Sequence, residues 1–303
     1  MTPPLRLGTR GSPLALAQAR MVATALRDAH GWGPERIEIV EITTTGDQIR
    51  DRPLAEVGGK GLWTKELDRA LMEGRTDISV HSMKDVETLR PAELVVAAML
   101  ERADVTDRLI GAESLEALPE GARFGTSSPR RAAQLLARRP DLLIQPLRGN
   151  VESRLRKIEM GEADATLLAS AGLIRLGREE VGMILDTLLP APAQGAIGIE
   201  ARTGDRRTRA LMQAIDHAPT HRAVAVERRF LEGLGGTCRS AVAALAEMDG
   251  GDVRLRGEIL SPDGREAPAC DVRFPAGDEA APLDIARQLL SRASPELRAF
   301  FAE

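Results

Sequence analysis

Gly74-Arg75-Thr76-Asp77-Ile78-Ser79-Val80-His81-Ser82-Met83-Lys84-Asp85-Val86 is the stretch on which the fold turns. Gly74 reads as the end of a helix, because glycine closes a helix in the left-handed conformation at no steric cost. Ile78-Ser79-Val80 is a short apolar run after that stop and reads as a buried strand. The strand gives way to a polar loop that ends in an adjacent base and acid, Lys84 and Asp85. Open α/β sheets place their chemistry at the mouths of strands, so the stretch implies an α/β fold with a candidate site at Asp85.

Working outward, Leu5-Arg6-Leu7 reads as a strand, followed by the turn Gly8-Thr9-Arg10-Gly11-Ser12-Pro13. Ser12 suits a helix N-cap and Pro13 the first helical position. Leu14, Gln18, Met21, Val22, Ala25 and Leu26 then recur at helical spacing. Glu38 to Thr44 reads as a second strand, and Gly58-Gly59-Lys60-Gly61 as the opening of a helix from Leu62 to Met72. A second region repeats this order. Arg123-Phe124-Gly125 is a strand, Thr126-Ser127-Ser128-Pro129 a cap-then-proline turn, and Arg130 to Arg138 a helix. A strand from Leu142 to Leu147, a helix capped by Asn150 and a strand from Ala165 to Leu168 complete the copy. Gly161-Glu162-Ala163-Asp164-Ala165 parallels Gly74-Arg75-Thr76-Asp77-Ile78. The repeat implies two similar α/β lobes facing each other across a cleft, a favoured place for a ligand. From about His221 the pattern changes to a helix, three strand-like runs (Ala241–Glu247, Val253–Leu260, Ala267–Phe274) and a final helix from Leu283 to Arg292. Such an order describes a small α+β domain with an antiparallel sheet.

Arginines recur at the turns and first helical turns: Arg10, Arg130, Arg131, Arg148 and Arg154, with Arg175 after the Ala165 strand. A helix N-terminus already carries partial positive charge, so a cation placed there calls for compensation. A capping hydroxyl beside an arginine makes a site for a carboxylate or phosphate, and the planar fork of arginine favours carboxylates. Asp85 is then an acid among arginines, as expected of a site that binds a polyanion and handles charge. Lys60, in a glycine-rich turn without the P-loop spacing, reads as a lid residue reaching an anion. Cys238, after Gly235-Gly236-Thr237, reads either as a small core residue or as a nucleophile or attachment point on a loop. Cys270, within a strand-like run, reads as structural. His217 and His221 are four apart with Pro219 between them, and no histidine–carboxylate set has zinc spacing, so no metal is expected.

Composition bounds these readings. The 303 residues are 43% hydrophobic, enough for two or three domains with real cores. A net charge of −4, 2% aromatic residues and no tyrosine argue against nucleic acid as a partner. No run approaches the roughly 18 apolar residues of a membrane span. The first residues, Met1-Thr2-Pro3-Pro4-Leu5-Arg6, contain no apolar signal region, and two cysteines do not make a disulfide framework. A cytoplasmic protein with free thiols and no membrane partner is expected.

These motifs, in this order, resemble the porphobilinogen deaminase (hydroxymethylbilane synthase) family over essentially the whole chain. The resemblance is carried by Thr9-Arg10-Gly11-Ser12-Pro13-Leu14-Ala15, Gly58-Gly59-Lys60-Gly61-Leu62, Val80-His81-Ser82-Met83-Lys84-Asp85-Val86 and Gly125-Thr126-Ser127-Ser128. Arg130-Arg131, Leu147-Arg148-Gly149-Asn150-Val151, Arg154-Leu155, Ala171-Gly172-Leu173 and Gln194-Gly195-Ala196 extend it. The family are transferases of tetrapyrrole (haem) biosynthesis. They join four porphobilinogen molecules head to tail with loss of ammonia and release hydroxymethylbilane by hydrolysis. The resemblance implies a dipyrromethane cofactor covalently attached to Cys238 and a catalytic role for Asp85. It implies cofactor contacts from Lys84, Asp85, Thr126, Ser127, Ser128, Arg130, Arg131, Arg154, Gln194 and Gly195. Substrate contacts are implied for Arg10, Ser12, Gln18, Lys60, Arg148, Arg154 and Arg175. The implied fold is two periplasmic-binding-protein-like (type II) lobes around a cleft plus a small C-terminal α+β domain with a three-stranded antiparallel sheet. Lobe 1 would span 1–100 and 196–216, lobe 2 101–195, and the domain with the cysteine loop 217–303. A monomer acting on a small-molecule substrate is expected.

The chain departs from the family pattern at three places. No proline follows Cys238 closely, Glu56 stands where some members have lysine, and Ala193 stands where glycine is common. A solute-binding protein with two lobes, anion ligands and no chemistry is the competing class, and a non-catalytic paralogue a third.

Overall fold

The structure is a computed structural model that describes residues 3–44, 64–235 and 240–301. The chain opens with β1 (Leu5–Arg10), α1 (Pro13–His30), β2 (Ile37–Ile42), α2 (Lys65–Met72), β3 (Ile78–Ser82) and β4 (Leu94–Met99). Next come β5 (Asp107–Ile110), β6 (Arg123–Gly125), α3 (Pro129–Arg138), β7 (Leu143–Gln145), α4 (Val151–Glu159), β8 (Ala165–Ala169), α5 (Ser170–Arg175) and β9 (Met183–Leu185). Then follow β10 (Ile197–Arg202), α6 (Arg206–Met212), α7 (Ala218–Gly233), β11 (Val242–Asp249), β12 (Asp252–Ile259), β13 (Ala269–Pro275), α8 (Ala281–Ser291) and α9 (Pro295–Arg298).

The chain forms two compact units, Met1–Ala103 with Gly195–His221, and Asp104–Gln194 with Arg222–Glu303. The first contains a sheet of order β2-β1-β3-β10-β4, and the second a sheet of order β7-β6-β8-β5-β9. The two sheets match strand for strand. In each, the first three strands are parallel and the fourth runs antiparallel to both of its neighbours. The repeat read from the sequence is therefore a repeat of topology. It extends to side chains. Arg6 donates its backbone N–H and its guanidinium to Asp77 at 2.8 Å each. Arg123 does the same to Asp164 at 2.7 Å each. Gly74 and Gly161, which close α2 and α4, sit at φ 70° and 71°, where a side chain would be strained. Each aspartate ties the third strand of its sheet to the second.

β3 and β8, at the middle of their sheets, are buried on both faces over most of their length. Leu7, Ile78, Val80, Ile197 and Ile199 pack with Val22 and Leu26 of α1. Phe124, Ala165 and Leu167 pack with Leu109 and Leu135 in the second unit. β4, Leu94–Met99, is apolar throughout, and a strand without a polar face does not alternate. β5 and β9 are too short to stand out.

The antiparallel sheet β11-β12-β13 packs on α7 and α8 through Phe230, Val242, Leu255, Ile259, Phe274 and Leu289. It belongs to the second unit, where Ala244 N–H donates to Pro190 O at 3.0 Å. Residues 101–103 and 217–221 lie in the first unit, unlike the division expected from sequence. Their hydrogen bonds give the reason: Arg102 N–H donates to Thr220 Oγ1 (3.0 Å) and His217 N–H to Met99 O (2.8 Å). α7 also starts earlier than His221, because Pro219 is tolerated in a first helical turn. His217 Nδ1 lies 2.8 Å from Thr220 Oγ1, and His221 Nδ1 2.9 Å from Asp216 Oδ1, so the two histidines serve different partners.

Candidate functional site

In the first unit, β1 delivers Arg10 to the sheet mouth and Ser12 caps α1, its Oγ accepting Ala15 N–H at 3.3 Å. One face of α1 turns Gln18 back to β3, where its Nε2 donates to Ser82 Oγ at 2.7 Å. β3 ends at Ser82, and a single 3-10 turn, Met83–Asp85, follows. Met83 is buried and its N–H donates to Ala196 O at 3.1 Å, so the turn is pinned from below. Lys84 and Asp85 stay exposed. Arg10, Ser12, Gln18 and Asp85 line one pocket together with Thr64, His81 and Ser82. Sequence reasoning had assigned roles to the first four. It missed Thr64, His81 and Ser82, although His81 and Ser82 stand in the motif it started from.

Beneath this turn lies a buried network. His81 Nε2 is 3.1 Å from Glu200 Oε2, and Arg90 donates to both oxygens of Glu200 at 2.8 Å. Burial by itself would raise the Glu200 pKa. His81 and the forked Arg90 outweigh it and bring the value to about 2. Asp68, also bonded to Arg90, is pushed up by burial.

In the second unit, Ser128 caps α3 and accepts Arg131 N–H at 3.4 Å, with Pro129 in the first turn. Thr126 Oγ1 accepts Ser128 N–H at 3.2 Å, and Ser127 Oγ donates to Leu147 O at 3.3 Å. Arg130 and Arg131 are both buried, and they point inward to Asp107 at the start of β5. Arg130 Nη2 donates to Asp107 Oδ2 at 2.8 Å. Arg131 donates to Oδ2 at 3.1 Å and to Oδ1 at 2.7 Å. Gln194 Nε2 adds a bond to Oδ1 at 2.9 Å. Burial would raise the Asp107 pKa, but the two guanidiniums hold it well below the usual carboxylate range. Two cations at a helix start needed compensation, and their first compensation is internal. A second acid stands close by: Gln134 accepts Arg130 Nη1 at 2.9 Å and donates its Nε2 to Glu258 at 2.8 Å. Arg130 Nε is buried without a hydrogen-bond partner among the described residues.

The other expected contacts are spread over the second unit. Asn150 caps α4, with Arg148 two residues before it, and Arg154 Nε donates to Gly149 O at 2.9 Å. Arg175 ends α5, and burial lowers its guanidinium to about 10. Ala193, preceding Gln194, takes the left-handed conformation at φ 61° that favours glycine. It is held there by its N–H, which donates to the buried Glu227 at 2.6 Å. Gly195 follows at φ 84°. Lys60 and Cys238 lie outside the described residues.

Residues 5–210 match the family model "Porphobilinogen deaminase, dipyromethane cofactor binding domain", and residues 221–290 match "Porphobilinogen deaminase, C-terminal domain". The chain is 58% identical to a porphobilinogen deaminase of Sphingopyxis alaskensis, over 99% of this chain and 97% of that protein. It is 50% identical to one of Paracoccus denitrificans, over 96% of this chain and 95% of that protein. The chain belongs to the porphobilinogen deaminase family. Among solved structures it is similar to a double mutant of the BvgS VFT2 domain of Bordetella pertussis, with 14% identity and a TM-score of 0.41. That likeness covers 75% of this chain and 92% of the other.

A porphobilinogen deaminase needs a partner for pyrrole N–H groups and partners for the carboxylates of its cofactor. Asp85, an exposed carboxylate in a pocket that also holds Arg10 and Ser12, fits the first need. The orphaned Arg130 Nε fits the second. Cys238 falls within the C-terminal family match.

Proposed function

We propose that the chain condenses four porphobilinogen molecules head to tail, releases ammonia at each step, and frees hydroxymethylbilane by hydrolysis. The observation that carries this reading is the convergence of Arg10, Ser12, Gln18 and Asp85 on one pocket, in a chain of this family. The dipyrromethane cofactor, attached at Cys238, supplies the pyrrole terminus that is extended. Lys84, Thr126, Ser127, Ser128, Arg130, Arg131, Arg154, Gln194 and Gly195 hold its carboxylates and rings. Arg10, Ser12, Gln18, Lys60, Arg148, Arg154 and Arg175 hold the acetate and propionate of the incoming substrate, where forked guanidiniums match carboxylates.

Asp85 performs the charge chemistry. Its carboxylate accepts a hydrogen bond from the substrate pyrrole N–H and orients the ring. As the carbon–nitrogen bond to ammonia breaks, positive charge spreads into the ring, and a fixed anion beside it stabilises that charge. Once the new carbon–carbon bond has formed, Asp85 takes up the displaced ring proton. It passes that proton to the released ammonia or to water and is ionised again for the next unit, so one acid serves every cycle. The enzyme acts as a single chain in the cytoplasm in this reading. Intact-protein mass spectrometry tests it. Fresh, active protein should carry a two-pyrrole adduct that maps to Cys238. An unmodified thiol in active protein refutes the reading.

A further inference from the structure

We propose that Arg90 is a positioning residue for Asp85, a single guanidinium that clamps the chain on both sides of the reacting turn. The assignment rests on Asp85 being the reacting carboxylate. Asp85 sits exposed at the end of one 3-10 turn that buried Met83 anchors from one side through Ala196. A catalytic group has to be held to within roughly 0.5 Å, and the chain on both sides of the turn adds restraint to the Met83 anchor. Upstream, His81 contacts Glu200 at 3.1 Å, and Glu200 receives Arg90 Nε and Nη2 at 2.8 Å each. Downstream, Glu87 stands two residues past Asp85 and receives Arg90 Nη1 at 2.9 Å. Thr64, a pocket residue, donates its hydroxyl to Glu87 at 2.9 Å and accepts Arg90 Nη1 at 3.3 Å. The remaining bond, from Nη2 to Asp68 Oδ1 at 2.5 Å, ties the hub to α2.

Geometry makes this an arginine's task. Five donors in a rigid plane reach Glu200 and Glu87 at once, whereas a lysine offers one point charge and cannot span both. The side chains of Arg90 and Glu200 are 10% and 0% exposed, so water does not compete for these bonds. Arg90 is not among the described residues that line the pocket, and it holds the turn through Glu200, Glu87 and Thr64. Loosening it should therefore lower turnover and leave substrate capture by the arginines in place.

Two variants test the clamp. Arg90→Lys keeps the charge and loses the fork; Glu87→Ala cuts only the downstream tether, at a half-buried position. Each is compared with wild type in cofactor loading by intact mass, melting temperature, kcat and KM for porphobilinogen, and amide exchange over Met83–Val86. Both should fold and carry the adduct, with KM within about twofold. Their kcat per loaded molecule should fall about tenfold, since a 1 Å misplacement costs up to about a hundredfold. Exchange at Met83–Val86 should rise about tenfold while the rest of the first sheet is unchanged. A kcat within twofold of wild type in folded, loaded Glu87→Ala overturns the clamp. So does unaltered exchange in the turn, which is decisive even if the wild-type chain turns over no porphobilinogen. That last result would count against the proposed function alone. If Arg90→Lys does not fold, Glu87→Ala decides.

Discussion

The two five-stranded sheets share one order and one Arg–Asp staple, yet the charge networks at their mouths are inverses. At the first mouth a buried guanidinium, Arg90, is surrounded by the carboxylates of Glu200, Asp68 and Glu87, and an exposed acid, Asp85, stands in the pocket above. At the second a buried carboxylate, Asp107, is surrounded by Arg130, Arg131 and Gln194. The first network gathers acids around one guanidinium, and the second gathers guanidiniums around one acid. The backbone repeat decides where functional side chains emerge, and the buried counter-charges decide which kind of ligand each mouth favours. A transient cation suits the first, and the carboxylates of a growing polypyrrole suit the second.

The comparison breaks most visibly at Asp85. Asp85→Asn keeps the shape of an exposed side chain and removes its charge, so the fold should be unaffected. Porphobilinogen consumption should fall about a thousandfold, the scale on which removing a charge-stabilising, proton-handling group acts. Turnover within tenfold of wild type would mean that the negative mouth is not where the cation forms. The inverse test is at the second mouth. Asp107→Ala leaves two buried guanidiniums without their shared acid, and breaking such a cluster costs about 3–5 kcal/mol. Urea denaturation should report that loss, and intact mass a fall in the loaded fraction. A destabilisation below about 1 kcal/mol would remove Asp107 as the organiser of that mouth.

Much of this was legible in the sequence, for stateable reasons. The Ser12-Pro13 and Ser128-Pro129 caps, the strand before His81 and the three C-terminal strands rest on local rules, and the structure contains each of them. Asp85, Arg10 and Ser12 were identified through motifs and Gln18 as a substrate contact implied by the family resemblance, and the pocket gathers all four. Asp107 and Glu200 were not identified. Each is the one acid in its strand, and its meaning arises from a partner 23 or 110 residues away. No window along the chain contains such a pair. The arginines at the start of α3 did give a signal, since unpaired cations there are unfavourable, but it said that a counter-charge was needed and not that the chain supplied it. The φ of Ala193 was likewise foreshadowed only by the family's preference for glycine at that place.

Acid titration sharpens the comparison at the first mouth. Glu200 has a pKa of about 2 in the folded chain against an ordinary 4.5. Because the folded value is depressed, ionised Glu200 contributes stability that is present in full above about pH 4.5 and is lost as the pH falls towards 2. The difference between the two pKa values corresponds to about 3 kcal/mol. Glu200→Gln removes this titration and keeps the shape. The stability gap between wild type and Glu200→Gln, followed by urea midpoints at successive pH values, should therefore narrow across that window and stay constant above it. The narrowing must come from the hub and not from Asp107, whose carboxyl lies further below the usual range and stays ionised through most of the same window. Parallel curves for the two proteins would show that Glu200 is not held as an ion by Arg90 and His81. The negative character of the first mouth would then rest on Asp85, Glu87 and Asp68 alone.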